Sequence, residues 1–105
     1  MPSRTNYQQA QINISGSGLQ TIFSNPSPNR FAYVWEIYVT CAAATNIVFY
    51  NGAGPLTGNI NMLAGGAFQR QDLGMAPAFI IEPNANFSIS ESVGVQKSGY
   101  CHFSN

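Results

Sequence analysis

Apolar and polar residues alternate with a period of two along much of this chain, and Gly, Pro and Asn interrupt the alternation every several residues. Successive side chains of a strand point to opposite faces, so this pattern predicts half-buried strands, whereas helical periodicity is hard to find. The clearest segment is 31–40. There Phe31, Tyr33, Trp35, Ile37 and Val39 are expected on one large apolar face, with Ala32, Val34, Glu36, Tyr38 and Thr40 on the other. This is the expected central strand, with Trp35 at the heart of the core.

Upstream, strands are expected over 8–14 and 19–23, joined by the Ser15-Gly16-Ser17-Gly18 turn. The pair reads as a hairpin, left through a rigid loop at Asn25-Pro26-Ser27-Pro28-Asn29. Ala42-Ala43-Ala44 has helix propensity but is too short to nucleate one, so a turn is expected before a strand over 47–50. Asn51-Gly52 then supplies the positive φ angles of a tight reversal. Short strands follow over 59–63 and 67–73, separated by Gly65-Gly66. Segment 78–81 reads as buried on both faces. Glu82-Pro83-Asn84 turns the chain into 85–90, where Ala85, Phe87 and Ile89 point inward. A long last strand is expected over 93–103, with Gly94 and Gly99 marking bulges or bends. About eight short antiparallel strands in one domain, 1–105, predict an all-β sandwich, and a jelly-roll-like arrangement fits the strand count and the long Pro- and Gly-rich loops.

Composition narrows the function. Charged residues make up 8% of the 105 residues, and four basic side chains balance four acidic ones; typical soluble domains carry about a quarter. Arg4, Arg30, Arg70 and Lys97 are scattered, which argues against nucleic acid and against an anionic membrane surface as partners. A neutral surface with few ions favours association, and an oligomer is expected; the alternative is a monomer kept soluble by its Asn, Gln, Ser and Thr side chains. The first residues hold no apolar stretch resembling a signal peptide, and no run approaches the roughly 20 apolar residues of a membrane span. Synthesis in the cytoplasm is expected, with Cys41 and Cys101 kept as buried thiols. Asn13-Ile14-Ser15 and Asn86-Phe87-Ser88 match the glycosylation pattern but read as chance matches on strands.

Residues able to do chemistry are sparse. His102 is the single histidine, so no pair of imidazoles can hold a metal within one chain. Its neighbour Cys101 should point to the opposite face of the strand, which separates the one thiol and base that could have formed a dyad. Glu36, Asp72, Glu82 and Glu91 fall in different elements; the last three are expected as turn or rim charges, and Glu36 should meet water or a cation such as Arg30 or Arg70. Gly52, Gly54 and Gly58 lack the Lys and the helix of a phosphate loop. No catalytic residue, cofactor or metal is therefore expected, and the chain reads as a structural or binding module. Tyr7, Tyr38, Tyr50 and Phe68 are the aromatics able to stack on a sugar ring, although most should serve as core or interface anchors.

From Ile37 to Tyr100 the chain runs through Ile-Tyr-Val-Thr, Ala-Ala-Ala-Thr-Asn-Ile-Val-Phe-Tyr-Asn-Gly, Pro-Leu-Thr-Gly-Asn-Ile-Asn-Met-Leu-Ala-Gly-Gly-Ala-Phe and Ala-Phe-Ile-Ile-Glu-Pro-Asn-Ala-Asn-Phe-Ser-Ile-Ser, then Val-Gly-Val. This stretch resembles small virion proteins of tailed bacteriophages. The resemblance implies a capsid decoration, or cement, protein that binds the capsid exterior as a homotrimer and contacts the major capsid protein. It also implies an extended N-terminal arm over 1–10, whose alternative is a frayed terminus. Tyr7, Phe68 and Arg70 are the expected interface residues. The alternative function is a tail-associated receptor or carbohydrate-binding module.

Overall fold

The computed structural model describes residues 7–71 and 76–105. The strands are β1 (Gln8–Ile14), β2 (Gly18–Ser24), β3 (Ala32–Cys41), β4 (Thr45–Asn51), β5 (Gly54–Pro55), β6 (Ile60–Met62), β7 (Ala67–Gln71), β8 (Phe79–Ile81), β9 (Asn86–Glu91) and β10 (Lys97–Ser104). One sheet has the order β1-β10-β3-β7, with β8 also on β3; the other has β2-β9-β4-β5, with β6 also on β4. Every pairing is antiparallel. Because β7 and β8 share one position beside β3, and β5 and β6 one beside β4, the ten strands fill eight places. The chain steps from one sheet to the other between β1 and β2, β2 and β3, β3 and β4, β6 and β7, β8 and β9, and β9 and β10. That is the double Greek key of a jelly roll.

The predicted hairpin of the first two strands is therefore wrong in its partners. β1 pairs with β10 and β2 with β9, so the 15–17 turn bridges the two layers. The turn chemistry was legible; the identity of the sheet on each side was not. Residues 8–10, expected in an arm, pair with β10 through Gln8↔Phe103, Gln9↔His102 and Ala10↔Cys101. Tyr7 precedes them, and residues 1–6 of that expected arm lie outside the described residues.

In β3 the facing of side chains changes part-way. Opposite β10, the register passes from Glu36↔His102 to Val34↔Phe103 and leaves Trp35 unopposed. Such a bulge adds one residue and inverts the alternation beyond it. Ala32 and Val34 face the core before it, and Ile37, Val39 and Cys41 after it. Phe31 and Tyr33 thus lose their expected places inside, Phe31 being exposed. Trp35 is buried but stands outside the main apolar cluster, with its Nε1 donating to Ser104 Oγ at 2.8 Å. Ile80 is exposed between buried Phe79 and Ile81, so β8 is buried on one face only. The last strand begins at Lys97 rather than 93.

The core is aromatic at its centre. The Phe49 ring lies 5.3 Å from Phe68, 5.5 Å from Phe79 and 5.7 Å from Phe87, while Phe23 stacks on Phe103 at 3.9 Å. Both thiols are free and buried. Burial pushes the Cys101 thiol from 9.0 up to about 12, and burial together with the nearby Glu91 carboxylate raises Cys41. A thiol whose pKa is raised on folding stabilises the fold fully below its unfolded value and ceases to as pH climbs through its folded value. The Cys101 shift from 9.0 to about 12 corresponds to about 4 kcal/mol lost between pH 9 and 12. Urea unfolding at stepped pH should show that alkaline decline, and Cys101→Ala should flatten most of it; an equally steep decline in the variant would assign it elsewhere.

Candidate functional site

The outward face of the first sheet carries the densest set of polar and aromatic side chains. Apart from Lys97 and the terminal Gln8, the inner positions of β1, β10 and β3 are occupied by apolar residues and Gly99, so the alternate residues face out, and the strand registers align them in rows. Gln9, His102, Glu36 and Gln71 form one row, Gln11, Tyr100, Tyr38 and Gln69 the next, and Asn13, Ser98, Thr40 and Ala67 the third. Rings run across the first two rows: Tyr7 lies 5.4 Å from His102, His102 5.1 Å from Tyr100, and Tyr100 5.9 Å from Tyr38.

Among the described residues Glu36 is the one carboxylate of this face, and its partners are not the cations expected. The Tyr100 hydroxyl donates to Glu36 Oε2 at 3.3 Å, and His102 Nδ1 lies 3.2 Å from Oε1. His102 Nε2 is 3.3 Å from Gln9 Oε1. Loss of solvent, and then the Glu36 carboxylate, raise the Tyr100 pKa above its ordinary value, so the phenol stays a donor. The polar groups at the centre of the face are thus committed to one another. Cys101, next in sequence to His102, faces the core, as the strand geometry required.

Of the three expected interface residues, Tyr7 joins this face through His102 and is 48% exposed. Arg70 is exposed on the edge strand β7, opposite Ile37 in register. Phe68 is partly buried, with its ring 5.3 Å from Phe49 of the core. Tyr38 and Tyr100 were missed as a pair. Their signal was period-two placement on two strands, but that the strands were neighbours was invisible.

At one end of the sandwich lie the 15–17, 42–44, 63–66 and 92–96 turns. They are tied together by Ala42 N donating to Gln96 O at 2.9 Å and Gly65 N to Cys41 O at 2.8 Å. Leu63 (77% exposed), Leu19 (53%) and Val93 (50%) stand out here beside exposed Ala42, Ala43 and Ala44. No described charged side chain is exposed at this end, since Glu91 and Lys97 form an ion pair wholly beneath it. Lys97 Nζ also donates to Val95 O at 2.8 Å and Gly16 O at 3.4 Å, and Val95 N donates to Glu91 Oε1 at 2.8 Å. Glu91 was expected as a rim charge; instead it continues the inward series of Phe87 and Ile89. No group of three His, Cys, Asp or Glu side chains able to hold a metal ion occurs among the described residues.

No family model matches the chain, and no curated protein or solved structure was found to resemble it.

Proposed function

We propose that the protein is a bacteriophage capsid decoration protein that sits on the capsid exterior as a homotrimer and stabilises the joints between capsomers. The observation that carries this reading is the outer face of the β1-β10-β3-β7 sheet, where Tyr7, Tyr38, Tyr100, His102 and five Gln or Asn side chains surround one described carboxylate that is within hydrogen-bond distance of Tyr100 and His102. Protein interfaces are enriched in Tyr and depleted in charge at their centres, as this face is. The phage-like turns and the scarcity of charge support the same reading. In it, the sheet face meets a neighbouring copy around a closed ring, and the uncharged loop end bearing Leu63 and Val93 rests on the major capsid protein. A second reading, a tail-associated receptor or carbohydrate-binding module, is favoured by a polar groove on the opposite sheet.

Sedimentation of the isolated chain at micromolar concentration should give three times its 11.3 kDa mass. Tyr38→Lys and Tyr100→Lys together would place two like charges in the face and should shift the protein to monomer without unfolding it. A wild-type monomer, or a double variant that stays trimeric, would count against this assignment of the face.

A further inference from the structure

The two outer sheet faces differ in one respect that bears on ligand binding. On the first, Gln9, Glu36, Tyr100 and His102 satisfy one another; on the second, a groove of about 290 Å³ is lined by Asn46, Val48, Tyr50, Asn59, Ser90, Glu91 and Ser92. Asn46, Val48 and Tyr50 are alternate outward positions of β4, and Val48 pairs with Ser90 across β9. On the other side, Asn46 pairs with Asn61 and Ile47 with Ile60 of β6, which brings Asn59 beside Val48. The groove therefore has an apolar floor at Val48, hydroxyls along one wall, an amide on the other and a phenol ring at one end. None of the Asn46, Asn59, Ser90, Ser92 and Tyr50 side chains makes a hydrogen bond to a described residue. Glu91 passes beneath them with its carboxylate turned to Lys97 and fully buried, so no charge reaches the groove.

We infer that this groove is a binding site for a neutral pyranose sugar, such as a terminal hexose or N-acetylhexosamine of a glycan. A pyranose offers hydroxyls that donate and accept at once, and the primary amides and hydroxyls here do both. Its C–H face is apolar and suits Val48 and the Tyr50 ring. The groove lies at the small end of ligand sites, the size for one or two rings rather than a long chain. Phosphate, sialic acid or uronic acid would bring a charge that no cation in the groove meets. The site stands whether the protein decorates the head or the tail, and it is measured on the isolated chain.

Titrating the isotope-labelled protein with methyl glycosides of glucose, galactose, mannose and N-acetylglucosamine, and watching amide signals by NMR, tests it. At least one sugar should move the side-chain amides of Asn46 and Asn59 saturably, with Kd on the order of 1 mM, the weak range expected for one shallow contact. Asn59→Ala and Tyr50→Leu should each weaken that sugar tenfold or more, while Gln11→Ala on the opposite face leaves it unchanged. If Tyr50→Leu fails to fold, Asn59→Ala carries the test alone. Absence of any saturable shift, shifts confined to the opposite sheet, or tighter binding of glucuronic acid or of a peptide than of every neutral sugar would overturn the assignment.

Discussion

Lys97→Met should cost about 3–5 kcal/mol, the largest loss expected from any single charge change in this protein, because it strands the Glu91 carboxylate, which has no solvent exposure, without its cation. Both side chains have no exposure, and Glu91 Oε2 already lacks a hydrogen-bond partner. Lys97 also holds the Gly16 and Val95 carbonyls, so the variant leaves the 15–17 and 92–96 turns unpinned as well. Domains of this size have about 5–15 kcal/mol of total stability, and such a loss should bring the urea midpoint down by about a fifth or more. Replacing both partners, Lys97→Met with Glu91→Leu, removes the stranded charge together with its cause. It should recover most of the loss, since buried ion pairs exchanged for apolar residues are often neutral or stabilising. The double-mutant cycle measures the coupling. A single variant within about 1 kcal/mol of wild type would mean that water reaches the pair.

Gly99→Ala should abolish folding or come close to it. Gly99 sits mid-strand in β10 at φ 153°, where an L side chain is strained, and opposite Val39 of β3. A Cβ there would overlap the Tyr38 carbonyl oxygen, with that carbonyl's carbon at 2.8 Å and Val39 Cα at 3.0 Å. The obstacles are backbone atoms of the central strand, so nothing flexible can yield. Relief would require parting β10 from β3, the most extensive strand pairing in the molecule. The matching control is Gly58→Ala, because a Cβ at Gly58 meets nothing within 4 Å. Circular dichroism should show Gly58→Ala folded as wild type and Gly99→Ala unfolded or aggregated; a folded Gly99→Ala with an unchanged thermal midpoint would refute the packing described for this strand pair.

Much of this was legible in the sequence because its signals are local. Period-two alternation located strands, and Gly, Pro and Asn located turns such as those at Gly52, at Gly65 and at Asn84, whose φ is 58°. Glu91 also carried a local signal, being in phase with Phe87 and Ile89. What escaped was non-local. The β1 and β2 sequences do not say that their partners are β10 and β9, about ninety residues away in one case. The inversion at Trp35 depends on β10 having one residue fewer opposite it, which no property of segment 31–40 reveals. The candidate surfaces inherit that difficulty. Tyr38 and Tyr100 become one feature only after the sheet order is known, and Asn46, Asn59 and Ser90 line one groove only because β6 and β9 flank β4. The packing of Phe68 was hidden for a related reason: an aromatic on a short polar strand looks like a surface anchor until the opposite sheet supplies Phe49.

The central claim is that this charge-poor jelly roll uses its neutral faces to hold protein neighbours on a phage head. Electron microscopy of purified particles carrying the protein tests it most directly. The reading predicts regularly spaced trimeric density over the joints of the capsid lattice, in hundreds of copies, with the 63–66 and 92–96 turns toward the shell. Density confined to the tail in a few copies, or a capsid lattice with no such density over its joints, would contradict it.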